Sequence, residues 1–119
     1  MSAGELIISA VYRGTEIGRC TAAETENAQI TIGREPGNTI VIPWQYVGRV
    51  HCVLRFYNGV WYAQNQSRNG TYINGRQIDG FTPLRAGDRL SLLSGDKEIS
   101  INFSQHSAAG GNAGNTYHT

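Results

Sequence analysis

Short segments in which apolar and polar residues alternate follow one another along most of the chain. They are rich in β-branched and aromatic residues, as is typical of half-buried strands, and no segment sustains the apolar spacing of an amphipathic helix. The pattern predicts ten short strands, at residues 5–12, 16–21, 29–32, 39–42, 51–57, 60–64, 71–73, 76–78, 89–93 and 98–103. We therefore expect an all-β domain with no significant helix.

Turn residues separate the predicted strands. Asn58-Gly59 and Asn74-Gly75 are the clearest hairpin signals, because both residue types tolerate the positive φ that a type I′ turn demands. Further turns are predicted at residues 13–15, 35–38 and 94–97. So many short strands without intervening helices favour an antiparallel β-sandwich of two sheets. Its core candidates are Ile30, Ile32, Ile40, Ile42, Val53, Trp61, Leu90, Leu92, Ile99 and Ile101.

The length of the chain, 119 residues, is that of one domain. After Phe103 the composition changes to Ser, Gly, Asn and Ala, which cannot bury much apolar area. We therefore predict a folded domain over residues 1–103 and a flexible tail over residues 104–119.

Positive and negative charges nearly cancel, since ten Lys and Arg against nine Asp and Glu leave a net charge of +1. We therefore expect neither nucleic acid nor a membrane surface as a partner. Residues 1–6 lack the basic and apolar pattern of a secretion signal, and no apolar run approaches the roughly 20 residues that cross a bilayer. These features predict a soluble, cytoplasmic protein.

Little in the sequence points to an enzyme. Cys20 and Cys52 lie in different predicted strands without metal-ligand spacing, and we expect both to be reduced, with Cys52 in the core. No paired carboxylates and no nucleophile beside a base stand in a motif. We therefore expect no catalytic residue, no metal and no cofactor.

Three polar clusters lie between the predicted strands. They are Gly33-Arg34, residues 48–51, and residues 65–71 with Asn74-Gly75 behind them. Nine of the ten basic residues of the chain are arginine, which suits forked contacts to phosphate or carboxylate. Arginines, amides and backbone N–H groups gathered at strand ends indicate a site for an anionic group.

The clusters form an ordered pattern: Gly33-Arg34, Arg49-x-His51, Asn65-x-Ser67-x-Asn69-Gly70-Thr71-x-x-Asn74-Gly75 and Leu84-x-x-Gly87-Asp88-x-Leu90. This pattern resembles the forkhead-associated (FHA) domain family, and the resemblance runs from about Ile7 to Phe103. It implies an eleven-stranded β-sandwich that binds phosphothreonine peptides through loops at one end. It also implies a signalling role, a threonine-phosphorylated partner made by a Ser/Thr kinase, and a place as one module of a larger protein.

The resemblance further implies a role for each cluster. Arg34 is expected to bind the phosphate, aimed by a tight turn at Gly33, and Asn69 to bind the peptide main chain. The full set of expected phosphopeptide contacts is Arg34, Gly48, Arg49, Ser67, Arg68 and Asn69. Structural support is expected from Gly33, His51, Gly70, Thr71 and Asn74. The plain alternatives are a solvated arginine for Arg34, a turn amide for Asn69 and a catalytic base for His51.

Gly48 is the main departure, because family members usually carry a serine there whose hydroxyl and N–H both contact the phosphate. Glycine keeps the backbone donor but loses the hydroxyl, and a hydrogen bond to a charged group is worth roughly 1.5 to 3 kcal/mol. Two functions therefore stay open: a phosphothreonine-binding adaptor with weakened affinity, and a phosphate-independent interaction or assembly module with a degenerate site. Trp44 and Tyr46, just before Gly48, either line a ligand pocket or pack on the sandwich edge.

Overall fold

The computed structural model describes residues 4–106, which form eleven strands and one 3-10 turn. The strands are β1 (Glu5–Tyr12), β2 (Thr15–Ala23), β3 (Gln29–Gly33), β4 (Ile40–Val41), β5 (Cys52–Tyr57), β6 (Val60–Asn65), β7 (Thr71–Ile73), β8 (Arg76–Gln77), β9 (Thr82–Leu84), β10 (Leu90–Leu92) and β11 (Ile99–His106). The turn, Gly95–Lys97, separates β10 from β11. The predicted all-β class is confirmed.

Two sheets pack face to face. One has the strand order β2-β1-β11-β10-β7-β8 and the other β4-β3-β5-β6-β9. The predicted hairpins form at Asn58-Gly59 and Asn74-Gly75, where φ is positive at all four residues, as a type I′ turn requires. Neighbouring strands are antiparallel except β3 and β4, which run parallel, with Ile32 opposite Ile40. The turn at residues 35–38 therefore does not close a hairpin.

Strand β9 was not predicted from the sequence. It contains Pro83, which cannot donate a hydrogen bond and therefore reads as a strand breaker. In the structure β9 lies at the edge of its sheet and pairs only with β6, so one side of the strand needs no donor. Strand β11 is also longer than predicted, because Ser104 to His106 pair with the start of β1. Strand β11 thus continues past residue 103, where the folded domain was predicted to end, and residues 107–119 of the predicted tail lie outside the described part.

All ten predicted core residues are buried. Nine of them belong to the shared core between the sheets, whereas Val53 points to the outer face of its sheet and Cys52 and Leu54 point inward. Cys20 and Cys52 are free thiols, and burial raises the pKa of the Cys52 thiol to about 12. Two polar residues, His51 and Thr71, are completely buried as well.

Two negative findings concern residues 4–106. No helix there is long and apolar enough to span a membrane. No group of three or more His, Cys, Asp and Glu side chains in that range is arranged to hold a metal ion.

Candidate functional site

Three loops meet at one end of the sandwich. We call them the first loop (residues 34–39, after β3), the second loop (residues 42–51, after β4) and the third loop (residues 66–70, after β6). Backbone bonds join the first loop to the second, because the N–H groups of Arg34 and Glu35 donate to the carbonyls of Gly48 and Arg49 at 2.9 and 3.2 Å. Hydrogen bonds of His51 and Asn69 join the third loop to the second, so the three loops are brought together.

Gly33 is the point where the second loop crosses β3. A Cβ on Gly33 would lie 2.3 Å from the carbonyl oxygen of Arg49 and 2.8 Å from the Cα of Val50. The φ of Gly33 is not among the positive values of the described residues, so no left-handed backbone conformation requires a glycine here. Glycine is required here because two stretches of backbone touch.

Asn38 was predicted only as a turn residue, yet it fastens the first loop to the second. It is 8% exposed, and its Nδ2 donates to the carbonyls of Glu35 and Arg49 at 2.8 and 2.7 Å. A buried amide must satisfy its polar atoms, and both of these acceptors belong to the loop backbone. The Asn in a turn motif was the only sequence signal, and it does not reveal the partner.

Arg34 follows β3 and is exposed. Its Nε donates to the carbonyl of Val47 at 3.0 Å, which directs the guanidinium along the second loop. Within residues 4–106 the guanidinium makes no salt bridge, so its terminal nitrogens are not held by a carboxylate. An arginine oriented in this way can present paired N–H groups to an anion.

His51 joins the second loop to the third. The N–H of Gly48 donates to Nδ1 at 3.0 Å, so the proton of the neutral ring lies on Nε2, which donates to the carbonyl of Gly70 at 2.7 Å. Burial lowers the pKa of His51, although the Gly70 carbonyl acts in the opposite direction. Both ring nitrogens are occupied within the protein, and the ring therefore acts as a clamp between loops.

The same contact changes the role of Gly48. Its backbone N–H was expected to contact phosphate, but in the structure that N–H is used by His51. The position thus lacks both a hydroxyl and a free backbone donor. This departure is larger than the sequence alone indicated.

The His51 clamp makes stability depend on pH. Because the folded state lowers the pKa of His51 while the unfolded chain keeps a value near ~6.5, the unfolded chain binds more protons below that pH. We therefore expect the free energy of unfolding to fall as the pH drops below ~6.5, by at most about 1.4 kcal/mol per pH unit for this one proton. Urea unfolding between pH 7.5 and 5, together with NMR titration of the ring, measures this. A His51 ring that charges at or above pH ~6.5 would contradict it.

The third loop is braced by Asn65, the last residue of β6. Its Oδ1 accepts hydrogen bonds from the N–H of Ser67 and the hydroxyl of Thr71, at 3.2 and 2.8 Å, and its Nδ2 donates to the carbonyl of Ser67. Gly70 has a φ of 89°, in the left-handed region that favours glycine. Thr71 and Gly70 thus shape the loop rather than face solvent, and both are buried.

Asn69 links the third loop to the second at the exposed surface. Its Nδ2 donates to the carbonyl of Tyr46 at 2.6 Å, and its backbone N–H donates to the Oγ of Ser67 at 3.1 Å. The side-chain oxygen of Asn69 accepts no bond from the described residues. Arg68, next to Asn69 in sequence, and Arg49, in the second loop, are exposed and make no salt bridge within residues 4–106.

Asn74 was predicted to support the site, but its hydrogen bonds go to another loop. Its Nδ2 donates to Asp88 at 2.9 Å, its Oδ1 accepts from the N–H of Arg89 at 2.9 Å, and its own N–H donates to the carbonyl of Arg89. Asn74 therefore braces the loop between β9 and β10, and it bonds to none of the three site loops.

The two aromatic residues before Gly48 behave differently. Trp44 is half-buried against the core, with its ring edge-on to Tyr12 at a centroid distance of 4.8 Å. Tyr46 is 41% exposed, and the ammonium of Lys97 lies 4.6 Å from the centre of its ring. The sequence left open whether these residues line a ligand pocket or pack on the sandwich. Trp44 packs on the sandwich, whereas Tyr46 is exposed and available to a ligand.

Comparison with known proteins adds a family match. The model of the FHA domain family matches residues 30–93, a range that contains all three loops. A curated relative, the probable serine/threonine-protein kinase fhkA of Dictyostelium discoideum, is 38% identical over 85 residues. The match covers 62% of this chain but only 14% of that kinase.

Solved structures of FHA domains have folds similar to that of this chain. The N-terminal FHA domain of S. cerevisiae Rad53p, in complex with a phosphothreonine peptide, has a TM-score of 0.67 at 16% identity and covers 82% of this chain and 91% of that one. The FHA domain of an Arabidopsis thaliana hypothetical protein has a TM-score of 0.66 at 22% identity and covers 93% and 91% of the two chains.

Proposed function

Because this chain belongs to the FHA domain family, we propose that it is a module that binds phosphothreonine peptides in signalling. The proposal rests mainly on the geometry of Arg34. The carbonyl of Val47 orients its guanidinium along the second loop, and no carboxylate within residues 4–106 forms a salt bridge with it. The N-terminal FHA domain of Rad53p, which has a similar fold, was solved in complex with a phosphothreonine peptide, and this supports the choice of ligand. The proposal assigns recognition and no catalysis to this domain.

Arg34 is proposed to hold the phosphate. Its terminal nitrogens can fork onto two phosphate oxygens, and a charge-assisted bond of this kind is about twice as strong as a neutral one. Arg49 adds to this. Its backbone N–H donates to none of the described residues, and its exposed guanidinium increases the local positive charge. The phosphate is thus proposed to lie between the first and second loops, with Arg68 nearby on the third.

Ser67 is proposed to supply the hydroxyl that Gly48 lacks. A Cβ on Gly48 would lie 3.0 Å from the Cβ and 3.1 Å from the Oγ of Ser67, so the Ser67 side chain lies beside the position of the missing serine. The Oγ of Ser67 accepts the N–H of Asn69, and its own proton has no acceptor among the described residues. A hydroxyl has one donor, and in Ser67 that donor is available to a phosphate oxygen.

If Ser67 supplies this hydroxyl, removing it should weaken phosphopeptide binding, and adding Gly48→Ser should restore part of the affinity. Ser67→Ala is expected to weaken phosphopeptide binding about ten-fold, since a hydrogen bond to a charged group is worth roughly 1.5 to 3 kcal/mol. The double variant Gly48→Ser with Ser67→Ala returns a hydroxyl to the second loop and removes the Ser67 Oγ, one of the two Ser67 atoms that crowd the new Cβ, so part of the affinity should return. Calorimetric titration of both variants, with Ser94→Ala as the matched control, measures this. Unchanged binding by Ser67→Ala would contradict the role.

Asn69 is proposed to bind the peptide main chain through its side-chain oxygen. The Nδ2 of this amide is already used by Tyr46, and the oxygen is exposed and without a partner among the described residues. An amide oxygen accepts a backbone N–H, as a peptide strand beside the phosphothreonine would offer. Recognition would then require both a phosphate and an extended peptide.

A phosphate-independent interaction module is the second candidate function. The observation in its favour is Gly48, which has no hydroxyl and gives its N–H to His51. In that case Arg34 would be a solvated arginine, and Arg34→Ala would leave partner association unchanged. For either function we propose that the domain serves as one module of a larger protein, which the partial match to a kinase supports.

A further inference from the structure

The turn between β10 and β11 lies against the site loops. The N–H of Leu93 donates to the carbonyl of Gly70 at 3.1 Å, and the hydroxyl of Tyr12 donates to the carbonyl of Asp96 at 3.1 Å. The Gly95–Lys97 turn is therefore anchored on both sides, to the third loop and to β1. Its position is fixed relative to Asn69, the residue proposed to bind the peptide.

Lys97, the only lysine of the chain, projects from this turn to the second loop. Its ammonium lies 4.6 Å from the centre of the Tyr46 ring, which is a cation–π distance. The carbonyl of the same Tyr46 accepts the side-chain amide of Asn69 at 2.6 Å. A peptide held by Asn69 would therefore pass directly over or beside the Tyr46 ring and the ammonium.

No described carboxylate neutralises the charge of Lys97. Asp96 and Glu98 flank it in sequence, but no carboxylate within residues 4–106 lies within salt-bridge distance of its ammonium. A cation–π contact orients an ammonium and leaves its charge in place. Tyr46 and Lys97 are both exposed, so an incoming side chain can reach them.

From this arrangement we infer that Lys97, held by Tyr46, selects an acidic side chain in the bound peptide, at one position beside the phosphothreonine. The inference rests on the proposed phosphopeptide binding and adds a sequence preference to it. The ammonium attracts the Asp or Glu carboxylate, and the Tyr46 ring keeps the lysine from moving away. Because the contact lies at the surface, the preference is expected to be modest and to weaken with salt.

The test is a set of phosphothreonine peptides in which aspartate replaces alanine at each flanking position in turn. For the unchanged domain we expect aspartate at one position to strengthen binding roughly two- to five-fold, and Lys97→Met to abolish that gain. Lys97→Glu should reverse it, so that lysine is preferred at the same position. Arg76→Met, which removes an exposed charge on β8, is the matched control and should keep the gain.

Two results would overturn the inference. One is equal affinity for all the aspartate and alanine peptides, and the other is a gain that Lys97→Met leaves intact. If phosphothreonine peptides bind well but show either result, only the acidic selection fails. If none of the peptides binds better than its unphosphorylated form, the proposed function fails together with the inference.

Discussion

Replacement of Arg34 by alanine is expected to weaken binding of a phosphothreonine peptide by about 100-fold, or about 2.7 kcal/mol. The variant loses both N–H groups that fork onto the phosphate, each worth roughly 1.5 kcal/mol or more as a bond to a charged group. Arg34→Lys keeps the charge but loses the fork and the Nε bond to Val47, so an intermediate loss of about ten-fold is expected. Fluorescence anisotropy with a labelled peptide measures all three proteins.

The control for Arg34 is Arg76→Ala, which removes the same charge from an exposed position on β8, outside the three loops. It should bind the peptide as the unchanged domain does. Because Arg34 is exposed, its replacement should also leave the thermal unfolding midpoint nearly unchanged. Equal peptide affinity of Arg34→Ala and the unchanged domain would favour the phosphate-independent function.

Replacement of Gly33 by alanine is expected to damage both the fold and the site. The new methyl would lie 2.3 Å from the carbonyl oxygen of Arg49, so the second loop would have to move off β3. Overpacking of this kind costs roughly 2 to 3 kcal/mol of unfolding free energy. The moved loop would also break the bond between the Arg34 N–H and the Gly48 carbonyl, and phosphopeptide binding should fall with the stability. Urea unfolding and peptide titration measure the two effects.

Gly37 offers a matched control in the first loop. A Cβ on Gly37 would meet no atom within 4 Å, and its φ is not positive, so Gly37→Ala should fold and bind normally. Comparing Gly33→Ala with Gly37→Ala separates the effect of the close backbone contact at Gly33 from the general effect of replacing a flexible glycine. Unfolding curves that coincide for the two variants would contradict the reason given for Gly33.

Much of the fold follows from local patterns. The hairpins at Asn58-Gly59 and Asn74-Gly75 and about half of the core were predicted because turn chemistry and alternation act within a few residues. Strand β9 was missed since Pro83 is tolerated only at a sheet edge, and an edge is a property of the whole sheet. The parallel pairing of β3 with β4 was not predicted either, because a turn motif at residues 35–38 does not record the direction of the strand that follows it.

The candidate site was predictable in its residues and less so in its contacts. The spaced motifs identified Arg34, His51 and Asn69, and the structure brings their loops together. Two contacts could not be derived from the sequence. One is the hydrogen bond from the Gly48 N–H to His51, and the other is the bond from the Asn38 side chain to the Arg49 carbonyl. Both depend on which atoms of separate loops come within 3 Å, and no local pattern records that.

The central proposal is recognition of phosphothreonine, and one titration tests it most directly. The same peptide is prepared with phosphothreonine, with phosphoserine and unphosphorylated, and each form is titrated into the domain at one salt concentration. We expect saturable binding of the phosphothreonine form, weaker binding of the phosphoserine form and no measurable binding of the unphosphorylated form. Equal affinity for all three forms would contradict the proposal.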